Sequence, residues 1–407
     1  MKDRVVLAYS GGLDTSVAIR WIIEKYDSDV ITVTVDVGQG GDLKSICETA
    51  EKIGAIKHYT IDARDEFVKG YVYPAVKANA LYQGKYPIST ALSRPLIASK
   101  LVEVARKEGA NAVAHGCTGK GNDQVRFDVT IASLAPDLKI IAPIREWGPS
   151  REEEIEYARD HDIPVLVKPG SAYSIDRNLY GRSIECGVLE DPMAEPPEEV
   201  FELTVSPEES PNRPQYLTLE FEKGIPKSLD GSEEAPVDML NRLSEIAGRN
   251  GVGRIDHIED RLIGIKSREV YECPAATVLV ESHKDLEKCV LTRHELDFKQ
   301  LVDMEWTLAA YTGLWTDPLL EDLGAFIDKT QEKVSGTVKV KLFKGNCRVV
   351  GRSSPMSLYN RELATYEVGT AFDQKIAGGF IELWGLQTKI ANIVKRKMES
   401  GRDQEPV

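Results

Sequence analysis

The chain has 407 residues, 42% of them hydrophobic and 29% charged. That length and balance fit a globular protein of roughly two to three domains, able to bury a core without disulfides or metals. A formal net charge of −14 disfavours nucleic acid and anionic membranes as partners.

No apolar run approaches the ~18 residues of a membrane span, and the N-terminus carries no signal-peptide pattern. Cys47, Cys117, Cys186, Cys273, Cys289 and Cys347 are scattered without a C-x-x-C pair. Neither a zinc site nor a disulfide framework is expected, and free thiols suit a cytoplasmic protein.

Residues 4–9 form a short apolar run that predicts a strand. Residues 15–25 then carry Val17, Ala18, Trp21 and Ile22 at helical spacing. Strands are predicted at 29–35, 57–61, 112–115, 139–142 and 165–168, and helices at 43–53, 66–80, 95–108 and 151–161. Such alternation implies a parallel sheet covered by helices on both faces, with ligands bound beyond the carboxyl ends of its strands.

The pattern changes near Lys168. Pro, Glu and Asp crowd residues 190–214, which read as a surface excursion. Strands are predicted at 201–205 and 216–221, with a turn at 223–226 and a helix at 236–249. Residues 254–265 are mixed, 275–306 are helical as one helix or two, and 334–342 with 347–350 make a hairpin around Lys344-Gly345-Asn346. This second region is α+β. The tail, 371–398, places Phe372, Ile376, Phe380, Leu383, Ile390 and Val394 at helical steps, interrupted by Gly378-Gly379. Its apolar stripe packs either on its own domain or on another subunit. The expected domains are 1–168, 169–370 and 371–407.

Between the first strand and the first helix lies Ser10-Gly11-Gly12-Leu13-Asp14-Thr15-Ser16. The glycines let the backbone turn tightly and free N–H groups to approach an anion. Thr15 and Ser16 add hydroxyls where the helix N-terminus carries about half a positive charge. The bland alternative is an ordinary tight turn, and the full string weighs against it. No Walker motif is present, and Gly38-Gln39-Gly40-Gly41-Asp42-Leu43 lacks the last glycine of a dinucleotide fingerprint.

The string resembles the pyrophosphate-binding loop of the N-type ATP pyrophosphatases. That group includes GMP synthetase, asparagine synthetase, several tRNA-modifying enzymes and argininosuccinate synthase. The resemblance implies a Rossmann-like sheet of the adenine nucleotide hydrolase type. It also implies ATP as a substrate with Mg2+, cleavage between the α and β phosphates, and adenylation of a substrate oxygen.

A second Gly-rich string, His115-Gly116-Cys117-Thr118-Gly119-Lys120-Gly121-Asn122-Asp123-Gln124-Val125-Arg126-Phe127, follows the strand at 112–115. Asp123 can accept from an amine, and Arg126 can bind a carboxylate through two donors. A solvated turn with a surface ion pair is the alternative, and the density of the set in a predicted ligand crevice weighs against it. The string resembles argininosuccinate synthase. So do Tyr173-Ser174-Ile175-Asp176-Arg177-Asn178-Leu179, Gly251-Val252-Gly253-Arg254-Ile255-Asp256, Ser267-Arg268 before Tyr271-Glu272, and Phe380-Ile381-Glu382-Leu383-Trp384-Gly385-Leu386.

What this resemblance implies is an enzyme that joins citrulline to aspartate through a citrullyl-adenylate, releasing AMP and diphosphate. Position by position, ATP would meet Ala8, Tyr9, Ser10, Gly11, Gly12, Leu13, Asp14, Thr15, Ser16, Val35 and Gly116. Aspartate would meet Thr118, Asn122 and Asp123. Citrulline would meet Tyr86, Asn122, Arg126, Ser174, Ser183, Glu259 and Tyr271. Ala91 stands where some members carry a Ser linked to citrulline, and Cys117 where others carry a small residue. Taken singly, Tyr86 and Tyr271 are ordinary half-buried aromatics and Glu259 a surface carboxylate.

No acid–base dyad is visible, so orientation and charge stabilisation are expected to carry the chemistry. No dedicated metal cage and no prosthetic group are expected, and the resemblance implies a homotetramer with a C-terminal oligomerisation helix. A tRNA thiolase from the same group would need paired cysteines and a basic surface. A mere adenine-nucleotide sensor would not need the Asn122–Arg126 set.

Overall fold

Strand-forming runs of Val, Ile and Ala in the first part of the chain assemble one parallel sheet. The computed structural model describes residues 2–164, 173–366 and 373–399. In chain order this first part runs β1 (Arg4–Ala8), α1 (Leu13–Tyr26), β2 (Asp29–Asp36), α2 (Leu43–Ile53), β3 (Lys57–Asp62) and α3 (Arg64–Phe67). A π-helical turn, Val68–Val72, leads into α4 (Tyr73–Lys77). Then come α5 (Ser93–Glu108), β4 (Ala112–Ala114), α6 (Asp123–Leu134), β5 (Lys139–Ile141), α7 (Pro143–Trp147) and α8 (Arg151–Asp160).

The strand order is β3-β2-β1-β4-β5, all parallel. The central strands are buried on both faces, as helices on both sides require. Val5 and Leu7 pack into one layer with Val17 and Ile22 of α1, while Val6 faces the other with Leu96 and Leu101 of α5. Each such side chain contributes about 1.5–3 kcal/mol when fully buried. In register, Leu7 lies beside Thr32 on one side and Ala114 on the other. The loops after β1 and β4 therefore leave the same edge of the sheet as neighbours.

The second part adds β6 (Ser174–Asn178), β7 (Gly181–Glu185), β8 (Gln215–Glu222), β9 (Ile225–Leu229), β10 (Ser232–Glu233) and α9 (Pro236–Arg249). It continues with β11 (Arg254–Asp260), β12 (Lys266–Glu272), α10 (Pro274–Val290), α11 (Arg293–Tyr311), α12 (Pro318–Gln331), β13 (Gly336–Phe343) and β14 (Asn346–Ser353). These strands form two antiparallel sheets, β10-β9-β8-β13-β14 and β11-β12-β7-β6. Close to the C-terminus lie α13 (Arg361–Ala364) and α14 (Ile376–Glu399). The chain divides into two compact units, Met1–Met356 and Ser357–Val407, and all three sheets belong to the first. No helix among the described residues is long and apolar enough to cross a membrane.

Several predicted elements differ from those observed. Residues 201–205 alternate like a strand, yet they form no strand: the amides of Glu202, Leu203 and Thr204 are spent on the buried Glu272 carboxylate, and those of Phe201 and Val205 on the carbonyls of Glu198 and Gly248. The Gly-rich string after β4 is a loop only as far as Asn122; α6 begins at Asp123 and carries Arg126. The helical stretch from 275 is two helices. Its second member opens at Thr292, whose side chain accepts from Glu295 N–H while Glu295 caps Thr292 in return. The strand predicted at 165–168 and Phe372 lie outside the described residues.

Candidate functional site

The loop after β1 is built to present amides. Gly12 is the N-cap of α1 and offers no side chain, so the first amides of the helix receive no side-chain cap. Gly11 adopts φ +80, which a side chain would resist. Thr15 Oγ1 lies 3.2 Å from Ser10 Oγ and donates to the Gly12 carbonyl at 3.3 Å, which folds the loop over its own hydroxyls. Tyr9 is buried; its hydroxyl shares a 3.2 Å hydrogen bond with Ser16, and its carbonyl accepts from Thr34 at 2.6 Å. Asp14, in the first turn of α1, takes a 3.0 Å ion pair from Arg151.

The loop after β4 presses against this one. A Cβ at Gly116 would sit 2.8 Å from Thr15 Cγ2, so only glycine allows the approach. Buried His115 anchors the loop from behind. Cys117 N–H donates to its Nδ1 at 3.2 Å, which leaves the ring proton on Nε2 to donate to Asp128 at 2.7 Å. Burial opposes charge on Asp128, but its bonds to His115 and Arg145 prevail and hold its carboxyl below the usual range. Gln124 donates back to the Gly119 carbonyl at 2.6 Å, and Arg261 reaches the Lys120 carbonyl at 3.3 Å.

Beyond the loop, side chains from α5, α6, β6, β11, β12 and α11 and from the segment before α5 join one network. Asp123 accepts from Arg94 Nε at 2.7 Å and from Arg126 Nη1 at 2.8 Å. Burial works against its ionisation, but the two guanidiniums outweigh it and keep the carboxyl below its ordinary range. Arg94 also pairs with Asp176 of β6 at 2.7 Å. Arg126 donates through Nε to the Tyr311 carbonyl at 2.8 Å and lies 4.6 Å over the Tyr311 ring. Asn122 donates to the Tyr311 hydroxyl at 2.8 Å and accepts from Leu262 N–H at 2.9 Å.

Glu259, only 2% exposed, accepts one phenol on each oxygen: Tyr271 at 2.7 Å and Tyr311. Tyr271 stacks on Tyr86 at 3.8 Å, and Tyr82 on Tyr311 at 3.5 Å. Burial first, and the neighbouring carboxylate second, push the Tyr311 hydroxyl well above a free phenol, so it is protonated and donates to Glu259.

Of the residues singled out in the sequence, Tyr86, Asn122, Asp123, Arg126, Glu259 and Tyr271 thus share one hydrogen-bonded and stacked cluster. Ser183 joins it at the rim, 3.4 Å from Thr90 and opposite Tyr271 in the β7–β12 ladder. Ser174 is exposed opposite Glu185, two residues along β6 from Asp176. Thr118 is exposed on the loop, and Val35 is buried near the carboxyl end of β2. Ala91 is buried and makes no polar side-chain contact, whereas Thr90 beside it donates its N–H to the Tyr86 hydroxyl at 3.0 Å, with its own hydroxyl 2.8 Å from the same oxygen. Arg94, Tyr82 and Tyr311 are not marked by any sequence motif, and Asp176 lies within the string 173–179 without a sign of its role there. Their partners lie far along the chain, 189 residues for Tyr311 and Asn122, so no local pattern marks them.

The chain is similar to known proteins over nearly its whole length. Residues 4–164 match the family model described as the arginosuccinate synthase N-terminal HUP domain, and residues 173–391 the arginosuccinate synthase C-terminal domain. The argininosuccinate synthase of Pyrococcus furiosus is 58% identical over 388 residues, 95% of this chain and 94% of that one. That of Oceanobacillus iheyensis is 56% identical over 393 residues, 97% of this chain and 94% of its own. That of Halalkalibacterium halodurans is 54% identical over 406 residues, 100% and 99% of the two chains. An NAD+ synthetase structure from Burkholderia pseudomallei aligns with a TM-score of 0.29 at 17% identity, over 41% of this chain and 63% of that one, a likeness too slight to support any step.

Proposed function

The chain belongs to the argininosuccinate synthase family, and from that premise we propose which of its residues meet each substrate. The enzyme is an ATP-dependent C–N ligase that joins citrulline to aspartate, giving argininosuccinate, AMP and diphosphate. The ureido oxygen of citrulline attacks the α-phosphorus and diphosphate leaves. The aspartate amine then attacks the adenylated carbon, and AMP leaves with the oxygen that was activated.

ATP lies along residues 8–16, with Val35 and Gly116 at its flanks. The uncapped N-terminus of α1 receives the diphosphate end, where its free amides and partial positive charge match a departing anion. Mg2+ would arrive with the nucleotide. Asp14 is the carboxylate of the loop that fits such an ion, because Mg2+ takes one or two carboxylates plus phosphate oxygens. Thr118, Asn122 and Asp123 hold aspartate, and Tyr86, Asn122, Arg126, Ser174, Ser183, Glu259 and Tyr271 hold citrulline. No side chain is assigned as acid or base. Holding three substrates in reacting order removes most of the entropic barrier, and fixed dipoles and cations stabilise the charges that develop.

One observation carries this reading: Gly116 lies against Thr15, so the anion-binding loop and the amino-acid cluster are parts of one surface. We further infer a cytoplasmic homotetramer, with residues 1–168 and 169–370 as nucleotide-binding and synthetase domains and the C-terminal helix as the assembly element. The test is diphosphate release from ATP with citrulline and aspartate supplied singly and together. Release should depend on citrulline and reach full turnover only with both. Release indifferent to both amino acids would sink the reading.

A further inference from the structure

Tyr311 is 1% exposed and closes α11, far in sequence from every residue it touches in the site. Three side chains proposed to hold citrulline converge on it. Its hydroxyl accepts from Asn122 and donates to Glu259. Its carbonyl accepts from Arg126, whose guanidinium also covers its ring. Two residues on, Gly313 at φ +87 brings the backbone so close that a Cβ there would lie 2.9 Å from Arg126 Cα. The end of α11 is thereby fitted to both the backbone and the head group of Arg126. Tyr82, stacked on the same ring at 9° between planes, donates to the Asp260 carbonyl at 2.8 Å and ties the assembly to β11.

We propose that Tyr311 is a positioning residue for citrulline. It fixes the Glu259 carboxylate relative to the Arg126 guanidinium, the pair of charges complementary to the ammonium and carboxylate of an α-amino acid. An amino acid is selected by the spacing of those two charges, and one tyrosine holds both. This rests on the reading that Glu259 and Arg126 hold citrulline.

Tyr311→Phe tests it, because the ring, its stacking and the carbonyl all survive and only the hydroxyl is lost. A hydrogen bond to a charged group is worth about a factor of ten in binding or more. The citrulline KM should rise about tenfold, and the ATP KM should stay within about twofold. The melting temperature reports folding in the same preparations. Glu259→Gln and the double variant complete a cycle: the effects should be less than additive, since the Tyr311 hydroxyl acts through Glu259. If all three substrate KM values rise alike, or none moves, Tyr311 is structural and the proposal is wrong. If Glu259→Gln itself leaves the citrulline KM unchanged, the underlying assignment of Glu259 fails instead.

Discussion

Glu154 shows how one buried proton bears on the ATP loop. It sits on α8, only 4% exposed, near Asp14 of the loop and 3.8 Å from Arg151. Burial first and the Asp14 carboxylate second push it up to about 8, and Arg151 offsets only part of this. A carboxyl whose folded pKa exceeds its unfolded value binds its proton more tightly in the native state. Its stabilising contribution is whole below the ordinary carboxylate range and is lost as the pH rises through about 8. Thermal melting should therefore shift downward from the ordinary carboxylate range, about pH 4.5, up to about pH 8, and level off above it. Glu154→Gln keeps the neutral form and should flatten that decline; a variant curve parallel to the parent would refute the assignment. Glu269, pushed up to about 8 by burial and by Glu185, leaves a residual slope in the same window. The loop glycines were readable from sequence because their chemistry is local. Glu154 was not, because its proton depends on a residue of α1 brought to it by the fold.

Elements were legible where hydrophobic period and backbone hydrogen bonding agree. β1, β2 and α2 satisfy both, and they appear where their patterns put them. Residues 201–204 satisfy only the first. The amides of Glu202, Leu203 and Thr204 converge on Glu272, which is fully buried at the end of β12: Glu202 N–H donates at 3.0 Å, Leu203 N–H at 2.8 Å, Thr204 N–H at 2.9 Å and the Thr204 hydroxyl at 2.8 Å. Arg182 of β7, equally buried, completes the shell at 2.9 Å. One carboxylate thus replaces a partner strand, and alternation alone cannot reveal it. The same shell fastens β12, which carries Tyr271, to β7, which carries Ser183. Glu272→Ala would leave the buried Arg182 guanidinium with only Glu202 and the Val200 carbonyl, and the amides of residues 202–204 unpaired, a loss of about 3–5 kcal/mol. Urea unfolding should report it as a lower midpoint, and a change below about 1 kcal/mol would show that water replaces the carboxylate at little cost.

At the scale of the whole molecule the unexplained feature is α14. The amphipathic period of the tail was readable, and the helix is present from Ile376 to Glu399, yet none of its residues is buried. Phe380, Leu383 and Trp384 are 61%, 75% and 70% exposed, and Ile390 and Val394 extend the stripe. A single chain of this length does not ordinarily leave such a surface to water. The last turns of the helix are basic, with Lys395, Arg396 and Lys397 in sequence, whereas the whole chain carries a net charge of −14. A second copy of the chain therefore offers both an equivalent apolar stripe and a surface of complementary charge, and closed symmetric assemblies are the common outcome of such self-complementarity. Removal of residues 371–407 leaves the unit Met1–Met356, with its three sheets and every residue proposed to meet a substrate, intact in sequence. The truncated protein should remain folded by circular dichroism and should scatter light as a smaller particle than the full chain. Equal masses for the two would show that assembly, if it occurs, is held by other surfaces.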